Sequence, residues 1–167
     1  PSKALIHAAK TYWKTLHESK SMGIVAKSVE LDYAQTISWK DGIVKKLSTG
    51  IRTLLKGNKV QILEGEAKFS GPNSLNILKS DGKIEPVEFQ NCILATGSSP
   101  TRIPTLPVDQ KLILDSTGAL ALERLPQKMT IVGGGYIGLE LGMAFAKLGT
   151  QVTIVEFLEN VLATFDA

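Results

Sequence analysis

The sequence predicts an α/β fold, and three observations carry that expectation. A short β-branched run, a glycine triplet, an apolar helical stretch and a second β-branched run follow one another between Lys128 and Glu156. Two long stretches near the start repeat their apolar residues at helical spacing. Between residues 60 and 89 the period shortens to that of strands, with Asp81-Gly82 placed as a turn.

In chain order, Pro1 and Ser2 form a helix start, and Leu5, Ile6, Ala9, Trp13 and Leu16 continue it to about Ser19, before Gly23. Asp32 with Gln35 three residues on has the form of a capping box, predicting a second helix from Tyr33 to Lys56. Its stripe of Ile37, Val44, Leu47, Ile51 and Leu54 is read first as helix–helix packing and second as a partner-binding groove, with its lysines on the surface. Gly57-Asn58 closes the helix. The two helices are expected to form an antiparallel pair.

Val60–Lys68, Ser74–Leu78 and Ile84–Phe89 are expected strands of a small antiparallel meander. Asn91–Ala95 reads as a further apolar strand ending on Thr96-Gly97-Ser98-Ser99-Pro100. Pro100, Pro104 and Pro107 mark a stiff connector, and Asp115-Ser116 caps a short helix through Leu122. Met129–Val132 reads as a buried parallel strand, Tyr136–Leu148 as a helix stopped by Gly149, and Gln151–Val155 as the strand that brings up Glu156.

Composition excludes several classes. Apolar residues are 43% and charged residues 21%, ordinary for a globular domain, and the net charge of +3 is small. The 19 Lys+Arg form no basic stripe interleaved with aromatics, so nucleic acid is not implied. No apolar run approaches the roughly 20 residues of a membrane span, and no signal peptide is visible. The single cysteine, Cys92, excludes an internal disulfide and fits a reducing compartment. It sits in a predicted apolar strand and reads as core rather than redox-active. His7 and His17 read as surface residues, and no Cys/His cluster suggests a metal. The chain lacks an initiating Met and stops after a βαβ unit, which leads to the expectation of an internal piece of a larger protein.

The run from 128 to 156 carries chemistry. Gly133, Gly135 and Gly138 stand in G-x-G-x-x-G spacing between strand and helix. The first allows a tight turn, the second a close backbone approach to a pyrophosphate, and the third close packing of helix on strand. Gly134 and the amides of the Tyr136-Ile137 turn lie where phosphates are held by a helix N-terminus. Glu156 takes the acidic position that accepts from an adenosine ribose. A carboxylate there suits a free 2′-hydroxyl, and Phe157 and Leu158 add no arginine for a 2′-phosphate, so NAD(H) is expected over NADP(H). The plainer alternative is a glycine-rich turn packed for structural reasons alone.

Three motifs resemble the flavin- and pyridine-nucleotide-dependent disulfide oxidoreductases, nearest to the dihydrolipoamide dehydrogenase family: PSKALIHAAK at 1–10, CILATGSSP at 92–100, and GGGYIGLELG with VTIVEF. The first resembles the helix after the family's redox-active C-x4-C segment, the second the turn that closes over FAD, the third the NAD motif. The resemblance spans essentially the whole chain. It implies parts of two Rossmann-like domains with the helical pair and meander between: residues 1–98 as the C-terminal part of an FAD-binding domain, 99–125 as connector, and 126–167 as the N-terminal βαβ of an NAD-binding domain.

The resemblance also implies roles. Lys3 matches the lysine beside the flavin N5 edge, and Glu140 the carboxylate that pairs with it and supports the nicotinamide pocket. Ala67, Ala95, Thr96, Gly97 and Ser98 would lie along FAD. Tyr136 and Ile137 match positions on the nicotinamide approach, although Tyr136 also reads simply as a helix-start aromatic. The implied cofactors are FAD and NAD. The implied partners are lipoyl groups of 2-oxoacid dehydrogenase complexes, the remaining parts of a parent chain, and a second copy in a homodimer. The setting would be a bacterial cytoplasm or a mitochondrial matrix. The redox cysteines and the His-Glu base of the family fall outside these residues, so the chain alone is expected to be inactive. Mercuric and other NAD(P)H-dependent disulfide reductases, or a non-catalytic dinucleotide-binding fragment, remain as alternatives.

Overall fold

The structure is a computed structural model that describes residues 1–163. The elements in order are α1 (Ser2–His17), a short 3-10 helix (Ser19–Met22), α2 (Tyr33–Gly57), β1 (Glu66–Gly71), β2 (Ser74–Leu78) and β3 (Ile84–Glu88). There follow α3 (Ser116–Leu120), β4 (Lys128–Val132), α4 (Tyr136–Leu148) and β5 (Gln151–Val155). Packing divides the chain into two units, residues 1–47 with 100–163, and residues 48–99. The expected 126–167 segment has its last four positions outside the described residues.

The core of the first unit forms where α1 packs on α4. Leu5 and Ala9 of α1 meet Leu141, Ala144, Phe145 and Leu148 of α4, and Tyr33 at the start of α2 closes the cluster. Phe145 and Leu5 are fully buried, each contributing about 1.5–3 kcal/mol of hydrophobic stabilisation. Pro1 sits at the N-cap of α1 without a side-chain cap, and the first helical residue is Ser2. At α2 the Asp32 carboxylate accepts from the Gln35 amide at 2.9 Å, as the capping pattern requires.

The expected helical pair is narrower than the sequence implied. α1 finds its main partner in α4, and α2 joins the same core only through its first turns, with Tyr33 and Ile37. Further along, Leu47, Ile51 and Leu54 are exposed, so the stripe read as helix–helix packing is not covered among the described residues. Lys40 departs in the opposite sense. It is only 3% exposed, with its ammonium donating to the Leu120 carbonyl at 2.6 Å and paired with Asp41 at 2.9 Å. That contact fills the carbonyl end of α3 with a cation, the sign a helix C-terminus favours. Helix α2 stops at Gly57, but the left-handed residue is Lys59, two positions on (φ 58°). There Val60 donates to Leu55 and Lys59 to Lys56, the paired bonds of a Schellman stop.

The second unit holds the three-stranded antiparallel meander, in order β1-β2-β3. The strand expected at Val60–Lys68 instead begins at Glu66, because Glu66 already faces Leu78, the last residue of β2. Earlier residues run past the end of their partner. Gly65 makes that start possible: a Cβ there would lie 2.5 Å from the Leu78 carbonyl oxygen. The strand expected at Asn91–Ala95 does not form, and Ile93 is 91% exposed. No strand among the described residues lies beside it, so its amides have no ladder to join. Cys92, expected in a core, is exposed for the same reason.

Candidate functional site

Strands β4 and β5 run parallel with Lys128 opposite Gln151 and Val132 opposite Val155. Because they end level, the residues that follow, Gly133 and Glu156, emerge side by side at the carboxyl ends of the strands. That is where open α/β sheets bind ligands. Both strands alternate half-buried and exposed residues rather than being buried throughout, since one face packs on α4 and the other is open. The expectation of a fully buried strand is corrected accordingly.

Each glycine of the turn has a separate physical reason. Gly133 turns the chain at φ 103°, a left-handed backbone that favours glycine, and its amide donates to the Val155 carbonyl at 2.8 Å. A Cβ on Gly138 would stand 2.4 Å from the Gly133 carbonyl oxygen and 3.1 Å from Ile131, so only glycine lets the helix approach this closely. A Cβ on Gly135 would meet nothing within 4 Å, which leaves that backbone open to an incoming group. Gly142 was not singled out from the sequence. One turn beyond Gly138, its missing side chain makes room for Ile131, Val152 and Ile154. The four-residue spacing in G-L-E-L-G is the signal that could have found it.

Helix α4 begins at Tyr136 with Gly135 as N-cap, no side-chain cap and no acidic residue in its first turn. An uncapped helix start is electrostatically suited to an anion. Tyr136 and Ile137 are exposed there.

Glu156 is held in place. Its Oε1 accepts from the Leu158 amide at 2.8 Å and its Oε2 from the Gly134 amide. These backbone donors, Leu158 first and Gly134 second, hold the carboxyl below the usual glutamate range. A carboxylate offers about four acceptor positions, so room remains for sugar hydroxyls. The loop beyond folds back over Gly134: Leu162 donates to its carbonyl at 3.0 Å, and Val161 packs against it. Open Gly135, the uncapped helix and the fixed carboxylate fit a dinucleotide's pyrophosphate and ribose.

The other expected residues lie elsewhere. Lys3 is exposed on α1 and Glu140 half-buried on α4. Their helices pack together, yet among the described residues no ion pair joins them. Ala67 is exposed on β1 opposite Ile77. Ala95, Thr96, Gly97 and Ser98 are exposed in irregular backbone, with Gly97 left-handed at φ 78°. These five belong to the second unit, whose shallow hollow is lined instead by Pro72, Asn73, Ser74, Glu88, Phe89 and Gln90. His7 lies 6.2 Å from the Trp39 ring and His17 lies 4.8 Å from the Trp13 ring, each pair tilted and at the surface. Among the described residues no three His, Cys, Asp or Glu side chains gather as metal ligands would, and no helix is long and apolar enough to cross a membrane.

Residues 1–167 match the pyridine nucleotide-disulphide oxidoreductase family. The dihydrolipoyl dehydrogenase of Trypanosoma brucei brucei is 46% identical over 168 residues, covering 100% of this chain and 35% of that protein. Among solved structures, LpdA from Mycobacterium tuberculosis superposes with a TM-score of 0.84 at 26% identity, over 96% of this chain and 35% of that one. The HOCl-induced flavoprotein disulfide reductase RclA from Escherichia coli gives 0.76 at 27% identity, over 100% of this chain and 34% of its own. The chain thus spans about a third of the length of the relatives it matches. It belongs to the pyridine nucleotide-disulphide oxidoreductase family.

Proposed function

We propose that this member of the disulphide oxidoreductases carries the NAD-binding βαβ unit and part of the flavin site of a dihydrolipoamide dehydrogenase. The whole protein would pass two electrons from a dihydrolipoyl dithiol, through a redox disulfide and FAD, to NAD+. The observation that carries the reading is the Glu156 carboxylate, fixed by the Gly134 and Leu158 amides beside the open backbone of Gly135. The 46% identity to a dihydrolipoyl dehydrogenase supports the choice of substrate.

When bound, NAD+ supplies the hydride acceptor. The chain's own residues orient it. Gly133 to Gly138 admit the pyrophosphate to the helix start, and Glu156 accepts the ribose hydroxyls. Lys3 would place a cation near the flavin, with Glu140 on the helix packed against α1, and Tyr136 and Ile137 would border the nicotinamide. Ala67 and Ala95 to Ser98 would approach FAD through backbone and small side chains. Residues 1–98 would belong to the FAD-binding domain, 99–125 to the connector and 126–167 to the NAD-binding domain. No redox cysteine pair lies in these 167 residues, so the chain alone is expected to bind dinucleotide and to be inert toward lipoamide. The partners proposed for the whole protein are lipoyl groups of 2-oxoacid dehydrogenase complexes and a second copy of itself, in a bacterial cytoplasm or mitochondrial matrix.

Calorimetric titration of the full chain with NADH and NADPH tests the dinucleotide assignment. NADH should bind roughly tenfold or more tightly, because a 2′-phosphate faces the carboxylate. Glu156→Arg should reverse the order, and an unchanged preference would remove Glu156 from the ribose site. The likeness to RclA supports a second reading, a different disulfide reductase. Assay of the intact protein with lipoamide against glutathione disulfide and mercuric ion separates the two.

A further inference from the structure

Three polar residues are buried among the described residues: Ser19, Lys40 and Thr150. Ser19 bonds locally, to the Thr15 carbonyl one helical turn back. The other two reach out of their own segments and converge on one short stretch, Leu120 to Pro126. Lys40 of α2 donates to the Leu120 carbonyl, and the Thr150 hydroxyl donates to the Pro126 carbonyl at 2.7 Å. Between these two grips, Leu122 and Leu125 pack against the core. The stretch leads straight into β4. Thr150 stands where the chain returns from α4: its amide donates to the Phe145 carbonyl, and the next amide, of Gln151, donates to Gln127. One residue thus ties the end of α4 and the head of β5 to the chain entering β4.

We infer that Thr150 and Lys40 are positioning residues for the dinucleotide site: by gripping the 120–126 stretch they hold β4 level with β5 and so keep Glu156 aimed. The inference rests on the NAD reading above and extends it to side chains at the far end of the strands. Among the described residues β4 and β5 make a sheet of only two strands, which has few ladder bonds to resist sliding. Sliding matters at the site. It would carry the Gly134 amide away from the Glu156 carboxylate that it orients. Less than one residue's rise of about 3.3 Å is enough, because hydrogen bonds weaken steeply with distance and angle. Both residues act through β4 rather than on the ligand.

The test titrates the full chain with NADH and with NADPH, as wild type, Thr150→Val, Thr150→Ser and Lys40→Met, with urea denaturation alongside. Valine keeps the shape of threonine without its donor, serine keeps the donor, and methionine keeps an unbranched stem without the ammonium. The readout is the ratio of the two affinities, since an unfolded fraction weakens both ligands alike and cancels. Thr150→Val and Lys40→Met should each lower the preference for NADH at least about threefold, and Thr150→Ser should keep it. Lower stability with an unchanged ratio would make the pair merely structural and overturn the inference, as would an equal fall in Thr150→Ser. Should Lys40→Met fail to fold, the two Thr150 variants decide. A wild-type chain with no preference between the dinucleotides would overturn the NAD reading itself, and this inference with it.

Discussion

Two stretches of this chain are written in nearly the same way. Asn91–Ala95 leads through Thr96 to Gly97, and Lys128–Val132 leads to Gly133, each a short apolar run into a left-handed glycine. Only the second becomes a strand. β4 has β5 beside it and α4 on one face, whereas 91–95 has neither among the described residues, leaving Ile93 and Leu94 91% and 70% exposed. A helix closes its hydrogen bonds within its own segment, but a strand needs a neighbour, so the same local pattern yields order only where a partner is supplied.

Removing packing from each stretch should give the largest contrast. Phe145→Ala empties the centre of the α1–α4 core and should cost about 3–5 kcal/mol by urea denaturation. Ile93→Ala, in the exposed run, should fall within about 0.5 kcal/mol of wild type. A comparable loss at both sites would mean that 91–95 is packed in solution and would end the comparison.

The two glycines give a finer version. Gly138→Ala drives a methyl to 2.4 Å from the Gly133 carbonyl oxygen, and relief requires moving helix or strand, at about 3 kcal/mol. Gly97→Ala meets no atom within 4 Å and bears only the left-handed backbone, about 1 kcal/mol. NADH binding should weaken with the first and not with the second. Equal costs would show that the 95–98 turn is tightly held as well.

What the sequence made legible follows the same division. Helix α4 and strand β5 fall on the residues expected, because β-branched runs, a glycine turn, an apolar helix and a glycine stop are all local signals. The candidate carboxylate was legible by its place after β5. Contacts between distant segments were not. Lys40 reads as one more surface lysine of α2 until Leu120, eighty residues later, supplies the carbonyl it binds. Thr150 is buried through its bond to the Pro126 carbonyl, and nothing near it in sequence announces that. The run at 91–95 failed in reverse: its pattern was correct for a strand, and the missing information was the neighbour.

The smallest effect separates a carboxylate that serves the site from one that only shapes a loop. Backbone amides hold both Glu156 and Asp109 below their usual range, Leu158 and Gly134 for the first, Lys111 and Ile113 foremost for the second. A carboxyl lowered on folding stabilises the fold fully above its unfolded value, about 4.3 for glutamate, and loses that contribution as pH falls through the folded value. The urea midpoints of wild type and Glu156→Gln should therefore differ at pH 7 and converge as pH falls through the folded value, with Asp109→Asn behaving alike. A gap that stays constant with pH would mean that shape rather than charge holds the loop. The two variants should part over dinucleotide: Glu156→Gln weakens NADH at neutral pH and Asp109→Asn does not, since only Glu156 also meets the glycine turn. If both weakened it equally, the effect of Glu156 would be reduced to loop stability, and its carboxylate would have no separate claim on the ribose.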